Sequence, residues 1–391
     1  MFAPAPVWGW VGAFDSVRSR MIPSLSQLHS SRFRALRGLG CLAPGDVRRL
    51  GMSRPSAPAE PCPGTLPSSL QRVVWLLLIV MSIQIGRAAV SQNVSYIDLK
   101  KYANLEENPP FQNRILMAPV LHAAASSRAF GRVYDAFFRK TVASPMDLAI
   151  SLVNCASLLL LLPATLSLRR AFGPPSHSTW LAPLLTMIVL SFTYVVRYEQ
   201  DFMMPYDMLS VFLYTLGLLA IVNRSGWLFL LVMAVGTPNR ETVLFLVPVW
   251  LWLEWRGGRM FSALAYGFLG GAIWVAWRVE ISHILRSAMA PYDFPWKQNF
   301  SSVIFPVHWP QLLSVFGFLA IPMWLLRDNV RDPRLRAMWV ATLPFLLSAL
   351  VVGVWRETRI FGELSALVGI TFAIQLEEIL APSAHAGAEC R

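Results

Sequence analysis

The sequence predicts an all-α, polytopic membrane protein with about eight transmembrane helices, a re-entrant pair of half-helices and a helical outer loop. Of its 391 residues, 55% are hydrophobic and only 14% are charged, whereas soluble domains carry about 25% charged residues. Apolar runs of about 17 residues or more recur along the chain, and only a helix satisfies its own backbone inside a bilayer. The net charge of +12 comes from arginines at the ends of these runs. This pattern indicates orientation in a membrane rather than nucleic-acid binding.

The first 72 residues differ from the rest in being rich in Arg, Ser and Pro. This composition is typical of a disordered cytoplasmic tail. A transit peptide, or a mis-annotated start with initiation at Met52, explains it as well. We therefore place no chemistry in residues 1–72. The four cysteines have no metal-site or disulfide spacing,.

The predicted membrane domain covers residues 73–376 and is followed by a cytoplasmic tail, 377–391. After a first span at 73–90 comes an outer loop, 91–144, without a convincing span. The remaining apolar runs are 145–168, 180–196, 205–223, 262–279, 310–326, 337–354 and 360–376.

The segment 226–253 contains an Arg–Glu pair inside the apolar stretch GTPNRETVLF, at 236–245. Each such charge costs about 2.5–3.5 kcal/mol at the centre of a membrane helix. If the segment dips in and returns as two half-helices broken at Pro238, the arginine-rich short loops all fall on the cytoplasmic side. We therefore predict a re-entrant hairpin, with both chain termini in the cytoplasm.

This topology brings four charged stretches to the outer side: 95–114, 196–207, 239–242 and 355–363. Polar, non-helical backbone at membrane depth is tolerated only where protein or a water-filled cavity surrounds it. The sequence therefore predicts an outward-facing cavity lined by arginines and carboxylates. Internal ion pairing with neighbouring helices is the competing interpretation for any one of these residues.

The order of these features resembles integral-membrane glycosyltransferases of the GT-C class, particularly a poorly characterised bacterial branch. The features are a long first outer loop with Asp98 near its start, the stretch PPFQNRILMAPVL at 109–121, and the GTPNRET break. The resemblance implies a polyprenyl-phosphate-linked sugar as donor, a glycan or lipid as acceptor, and an active site facing the periplasm of a bacterial inner membrane. By position it implies that Asp98 is the general base. Many members have two adjacent acids there, whereas Ile97 precedes Asp98 in this chain.

Displacing a sugar from a lipid phosphate needs a base for the incoming hydroxyl and cations for the departing phosphate. We predict Asp98 and Glu241 as catalytic residues. The predicted substrate-binding residues are Arg114, Arg197, Asp201, Asn239, Arg240, Arg356, Glu357 and Arg359. No cofactor or metal ligand set is predicted, and a divalent cation is left open.

A second interpretation is a transporter or flippase for a lipid-linked sugar or another anion, since such carriers also use broken helices near the middle of the membrane. A third is a non-catalytic membrane subunit of polysaccharide assembly. The enzyme interpretation expects Asp98 to face the same cavity as Arg240 and Arg356.

Overall fold

The computed structural model describes residues 68–91, 97–107, 111–173, 180–196, 204–285, 295–355 and 357–380. These residues form helices and turns and contain no β-strand, which confirms the predicted all-α class. All of them belong to one compact unit, residues 61–391. The α-helices are α1 Ser68–Ser91, α2 Leu99–Ala103, α3 Met117–Ser126, α4 Arg128–Val133, α5 Pro145–Arg170, α6 Leu181–Leu190, α7 Asp207–Val222, α8 Gly226–Gly236, α9 Leu246–Arg256, α10 Met260–Leu285, α11 Trp296–Ile304, α12 Trp309–Ser314, α13 Ala320–Leu325, α14 Pro333–Ala341, α15 Leu343–Val352 and α16 Ser365–Leu380.

Five helical segments in the described part of the chain are long and apolar enough to cross a membrane. They are Ser69–Ala88, Pro145–Arg170, Met260–Leu285, Pro333–Val352 and Thr358–Leu380. Shorter apolar helices are Leu181–Val195, Asp207–Val222 and Gly226–Gly236. Repeated long apolar helices are the feature expected of an integral membrane protein.

One predicted span, 310–326, is not a continuous helix. Helices α12 and α13 are each six residues long and are separated by a turn in which Phe316 and Gly317 have positive φ angles of 61° and 64°. A helix cannot continue through left-handed backbone, so the apolar run folds into two short pieces.

Helices α8 and α9 form the arms of an antiparallel hairpin. The rings of Phe229 on α8 and Trp250 on α9 stack with their centroids 4.8 Å apart. A continuous helix would separate these two residues by about 31 Å along its axis. The reversal lies at Thr237–Arg240: Pro238 follows the last turn of α8, and Arg240 has extended backbone (φ −160°, ψ 132°). The α-helical part of each arm has 11 residues and is thus about 16 Å long, half the thickness of a bilayer core; the 3₁₀ segment Glu241–Phe245 leads from the tip into α9.

The tip of this hairpin lies partway along α10. The indole Nε1 of Trp274 donates to the carbonyl oxygen of Glu241 at 3.1 Å. Trp274 is about 21 Å along α10 from Met260, and the helix continues about 16 Å further to Leu285. The tip therefore lies at mid-depth of the longest apolar helix that packs against it.

Candidate functional site

The hairpin tip is joined to two other parts of the chain through backbone hydrogen bonds. The amide of Leu116, just before α3, donates to the carbonyl oxygen of Pro238 at 3.1 Å. The Asn239 side chain donates from Nδ2 to the carbonyl oxygen of Tyr206 at 3.1 Å. The segment before α3, the start of α7 and the tip therefore meet at one point.

Arg240 is buried between two carboxylates. Its Nη1 lies 2.9 Å from Glu363 Oε1 and 3.4 Å from Asp207 Oδ1. The Arg240 side chain is 4% exposed and both carboxylates are 0% exposed. Because a buried charge is costly unless it is paired and hydrogen-bonded, these three groups hold one another in place.

The two buried carboxylates have further donors. Glu363 Oε1 accepts from Ser210 Oγ at 3.0 Å and from Thr242 Oγ1 at 2.8 Å. Asp207 Oδ2 accepts from the amide of Met204 at 2.8 Å. These bonds tie α7, the tip and the 3₁₀ segment Thr358–Leu364 into one polar cluster below the surface.

Arg114 and Glu241 form a forked ion pair at the edge of this cluster. The distances are 3.0 Å from Nη2 to Oε1 and 3.3 Å from Nε to Oε2. The guanidinium also lies over the Tyr206 ring, 4.7 Å from its centroid, and donates to the Tyr206 hydroxyl. Burial alone would lower the pKa of Arg114, but Glu241 and Tyr206 outweigh it and the pKa lies well above its usual value. Arg114 is therefore a fixed, permanent cation.

Tyr102 on α2 supports Arg114. Its buried hydroxyl donates to the carbonyl oxygen of Arg114. Burial, followed by the neighbouring Tyr206, raises the pKa of Tyr102. The phenol therefore keeps the proton that it donates and fixes the backbone of Arg114.

A cavity of about 290 Å³ opens beside this cluster, close to the lower limit of about 300 Å³ for small-molecule pockets. Its polar lining residues are Arg114, Arg240, Glu241, Thr242, Glu357 and Arg359. Its other lining residues are mostly apolar and come chiefly from α15 and its neighbours: Phe345, Ser348, Ala349, Val352, Val354 and Ile360. The cavity therefore suits a ligand with a polar head and an apolar tail.

Aromatic rings close the cavity on the side of the bundle core. Phe345 packs edge-on against Phe245 with ring centroids 5.2 Å apart and against Tyr214 at 6.0 Å. Phe345 and Tyr214 are 1% and 0% exposed. Of these rings, Phe245 and Phe345 form the inner end of the cavity.

Glu357 and Arg359 occupy the loop that borders the cavity. Arg359 Nη2 lies 3.0 Å from Glu357 Oε2. Asn299 on α11 holds this loop: its Nδ2 donates to the carbonyl oxygen of Gly353 at 2.7 Å, and its Oδ1 accepts from the amide of Trp355 at 2.9 Å. Glu357 is 23% exposed, so its other carboxylate oxygen is available to a ligand.

Comparison of the chain with protein-family models, with curated proteins and with solved structures finds no match. The site must therefore be interpreted from its own geometry.

The structure brings together five of the predicted site residues. Arg114, Arg240, Glu241, Glu357 and Arg359 all line the cavity. Asn239 does not line the cavity; its side chain is 1% exposed and donates to the carbonyl oxygen of Tyr206. The predicted residues Arg197, Asp201 and Arg356 lie outside the described residues.

Asp98 is placed elsewhere. Its Oδ1 accepts from the amides of Lys100 and Lys101 at 3.0 and 3.3 Å, which makes it the N-cap of α2. The side chain is exposed and is not among the residues that line the cavity. This cap stabilises the start of α2, and the catalytic role of Asp98 stays a prediction.

Several residues of the site were not singled out from the sequence, among them Ser210, Tyr206 and Asn299. Ser210 follows Asp207 by one helical turn, and this spacing within an apolar run is a signal that both face one polar interior. Asn299 carries no such signal, because its partners are more than 50 residues away along the chain.

Among the described residues, no group of three or more His, Cys, Asp or Glu side chains is placed to hold a metal ion.

Proposed function

We propose that the chain is an integral-membrane glycosyltransferase that uses a polyprenyl-phosphate-linked sugar on the non-cytoplasmic side of the membrane. The observation that carries the proposal is the cavity, which is lined both by arginines and carboxylates and by apolar residues from α15. A lipid-linked sugar phosphate presents the same two surfaces to its binding site.

In this proposal α8 and α9 form a re-entrant hairpin within an eight-span bundle. Support comes from the 11-residue arms, too short to span the roughly 30 Å core singly, and from the mid-depth position of the tip along α10. The turns at the end of the bundle opposite the cavity carry exposed arginines, which favours a cytoplasmic location for that end. The cavity then faces the periplasm, with the protein in a bacterial inner membrane.

The reaction requires an acceptor hydroxyl to attack the anomeric carbon while the bond from that carbon to the phosphate oxygen breaks. We assign Glu357 as the base that takes the hydroxyl proton, because Arg359 engages only one of its oxygens. Both oxygens of Glu241 are engaged by Arg114, so Glu241 is the weaker base and suits contacts to sugar hydroxyls. Arg114 and Arg359 stabilise the departing phosphate, to which a guanidinium can donate two hydrogen bonds.

The carrier alternative needs a cavity that opens to both sides of the membrane. The packing of Phe345 against Phe245 and Tyr214 closes the core side of the cavity in this conformation. A carrier is also closed on one side at a time, so the transport assay described below distinguishes it from an enzyme. A non-catalytic subunit is distinguished from an enzyme only by assay.

The test is transfer from a panel of polyprenyl-phosphate sugars by the purified full-length protein in nanodiscs. Glu357→Gln is expected to lower kcat by about 10²–10⁴-fold, the usual contribution of a general base, with an unchanged melting temperature. The matched control is Glu378→Gln, a half-buried carboxylate at the far end of α16 that pairs with Arg331; it should retain full activity.

Full activity in Glu357→Gln would remove that residue from the mechanism. If no donor loses its sugar and the protein moves the donor across liposome membranes, the carrier replaces the transferase proposal. Inactivity in both assays would favour the non-catalytic subunit.

A further inference from the structure

A second polar pocket lies at the other end of α7. This helix begins at Asp207, in the buried cluster, and ends at Val222 after 16 residues, about 24 Å away. Beyond Val222, the turn between α7 and α8, the turn between α9 and α10, and the start of α14 enclose a pocket of about 250 Å³.

Four arginines line this pocket, which we call the arginine pocket: Arg224, Arg256, Arg259 and Arg334. They come from three separate turns of the chain. A preference for positive charge in cytoplasmic loops explains why arginines occur at this end of the bundle. It does not require that they converge on one concavity.

Two of the four arginines are fixed by carboxylates. Arg259 donates through Nε and Nη2 to the two oxygens of Glu254, both at 2.6 Å, and Glu254 is only 2% exposed. Arg334 Nη2 donates to Asp332 Oδ2 at 2.8 Å and to the carbonyl oxygen of Ala171 at 2.6 Å. These bonds give the pocket rigid sides.

The other two arginines, Arg224 and Arg256, are exposed. Neither makes an ion pair or a side-chain hydrogen bond with the described residues, although the charge of Arg224 acts on Glu254 over a longer distance. Arg224 stands at a helix C-terminus in the left-handed conformation, with φ 58°. Glycine is the usual residue in such a position because it has no Cβ. A binding role for the side chain would explain why an arginine occupies this position.

We propose that the arginine pocket binds a phosphate group, either the headgroup of an anionic phospholipid or a soluble phosphate compound. Guanidinium groups fit phosphate oxygens in pairs, and basic pockets between transmembrane helices are common sites for anionic headgroups. Arg224 and Arg256 supply the free donors, and the two paired arginines shape the pocket. This inference needs no catalysis and is independent of the proposed function.

The experiment uses the full-length protein in a neutral detergent and measures binding of three probes by native mass spectrometry and melting temperature. The probes are phosphatidylglycerol, phosphatidylcholine and inorganic phosphate. The test variant is the double substitution Arg224→Gln/Arg256→Gln. The matched control is Arg170→Gln/Arg331→Gln, which also removes two positive charges. These two arginines are next in sequence to Ala171 and Asp332, the partners of Arg334, but they do not line the pocket.

For the wild type we expect phosphatidylglycerol or inorganic phosphate to bind and to raise the melting temperature, with phosphatidylcholine weaker. The test variant should bind at least about tenfold more weakly, since a hydrogen bond to a charged group is lost at each arginine. The control should bind like the wild type. Binding of phosphatidylglycerol without competition from inorganic phosphate assigns the site to a lipid headgroup, and effective competition assigns it to a soluble phosphate compound.

Equal weakening in the two double variants would show that only the overall charge of this end matters and would overturn the site. Failure of the wild type to bind either anionic probe would overturn it as well. The test variant without added probe should melt within a few degrees of the wild type, because neither substituted side chain makes a hydrogen bond or an ion pair with the described residues and Glu254 keeps its forked pair with Arg259.

Discussion

Arginine is used in two contrasting ways at the two ends of α7. At the hairpin tip, Arg240 is 4% exposed and lies between two carboxylates with no exposure at all. In the arginine pocket, Arg224 and Arg256 are exposed and have no carboxylate within ion-pairing distance among the described residues. The same guanidinium group is therefore a structural element at one end and an available donor at the other.

The contrast shows that a charge inside an apolar segment is not by itself a binding group. The Arg–Glu pair of the GTPNRET stretch divides its roles: Arg240 holds α7 and the segment before α16 together, while Glu241 faces the cavity with Arg114. In the proposed function, ligand contacts at the tip therefore fall to the residues at the rim of the cluster, and Arg240 fixes their positions.

The largest expected effect is that of Arg240→Ala. It leaves Glu363 buried without a counter-charge and leaves Asp207 with only the longer contact to Arg359, 3.8 Å from Arg359 Nη1 to Asp207 Oδ2; removing one partner of a buried ion pair costs about 3–5 kcal/mol. The melting temperature in detergent, followed by tryptophan fluorescence, should fall steeply. Arg256→Ala in the arginine pocket should change stability by no more than about 0.5 kcal/mol.

The same comparison is sharpened by neutralising the whole buried cluster. The triple variant Arg240→Met/Asp207→Asn/Glu363→Gln removes all three charges together and should be less destabilised than Arg240→Ala alone. If Arg240→Ala and Arg256→Ala have the same melting temperature, the tip cluster does not hold the bundle together.

A medium effect is expected from the helix packing beneath the tip. Gly369 on α16 approaches α6 so closely that a Cβ would lie 2.6 Å from the backbone nitrogen of Thr186. Gly369→Ala should therefore force the two helices apart at a cost of about 1–3 kcal/mol.

Gly271 on α10 is the matched control, because a Cβ there meets no atom within 4 Å. Gly271→Ala should leave stability unchanged or raise it by about 0.4–1 kcal/mol through the unfolded state. Melting temperatures of the two variants, measured side by side, check the difference. Equal melting temperatures would contradict the close approach of α6 and α16.

The smallest effect is expected for Asp98→Asn. Asparagine caps a helix about as well as aspartate, and Asp98 does not line the cavity, so transfer activity and stability should both stay close to those of the wild type. A large loss of activity with normal folding would instead return the role of base to Asp98, as the resemblance implies.

The helices and the break in the hairpin were predictable from the sequence. The run predicted at 145–168 corresponds to α5, because a long apolar helix satisfies its own backbone and needs no information from elsewhere. Pro238 marks the end of α8 for an equally local reason. The meeting of Arg114 with Glu241 follows from topology, once the outer stretches are placed on one side.

Other features depend on contacts that the sequence does not encode locally. The break at Phe316 and Gly317 lies within a uniformly apolar run, and composition does not reveal positive φ angles. The capping role of Asp98 and the support that Asn299 gives to the cavity loop depend on partners that only the folded chain identifies. Burial of Arg240 between two carboxylates likewise required the structure.

The central claim is that the cavity opens away from the cytosol while the arginine pocket faces it. In a variant with Cys41, Cys62, Cys155 and Cys390 replaced by Ser, single cysteines are introduced as Val354→Cys at the cavity and Asn223→Cys beside the arginine pocket. An impermeant maleimide applied to intact bacterial cells should label Val354→Cys, and should label Asn223→Cys only after the inner membrane is permeabilised. Labelling of Asn223→Cys in intact cells, or protection of Val354→Cys until permeabilisation, would contradict the proposed orientation and the periplasmic site with it.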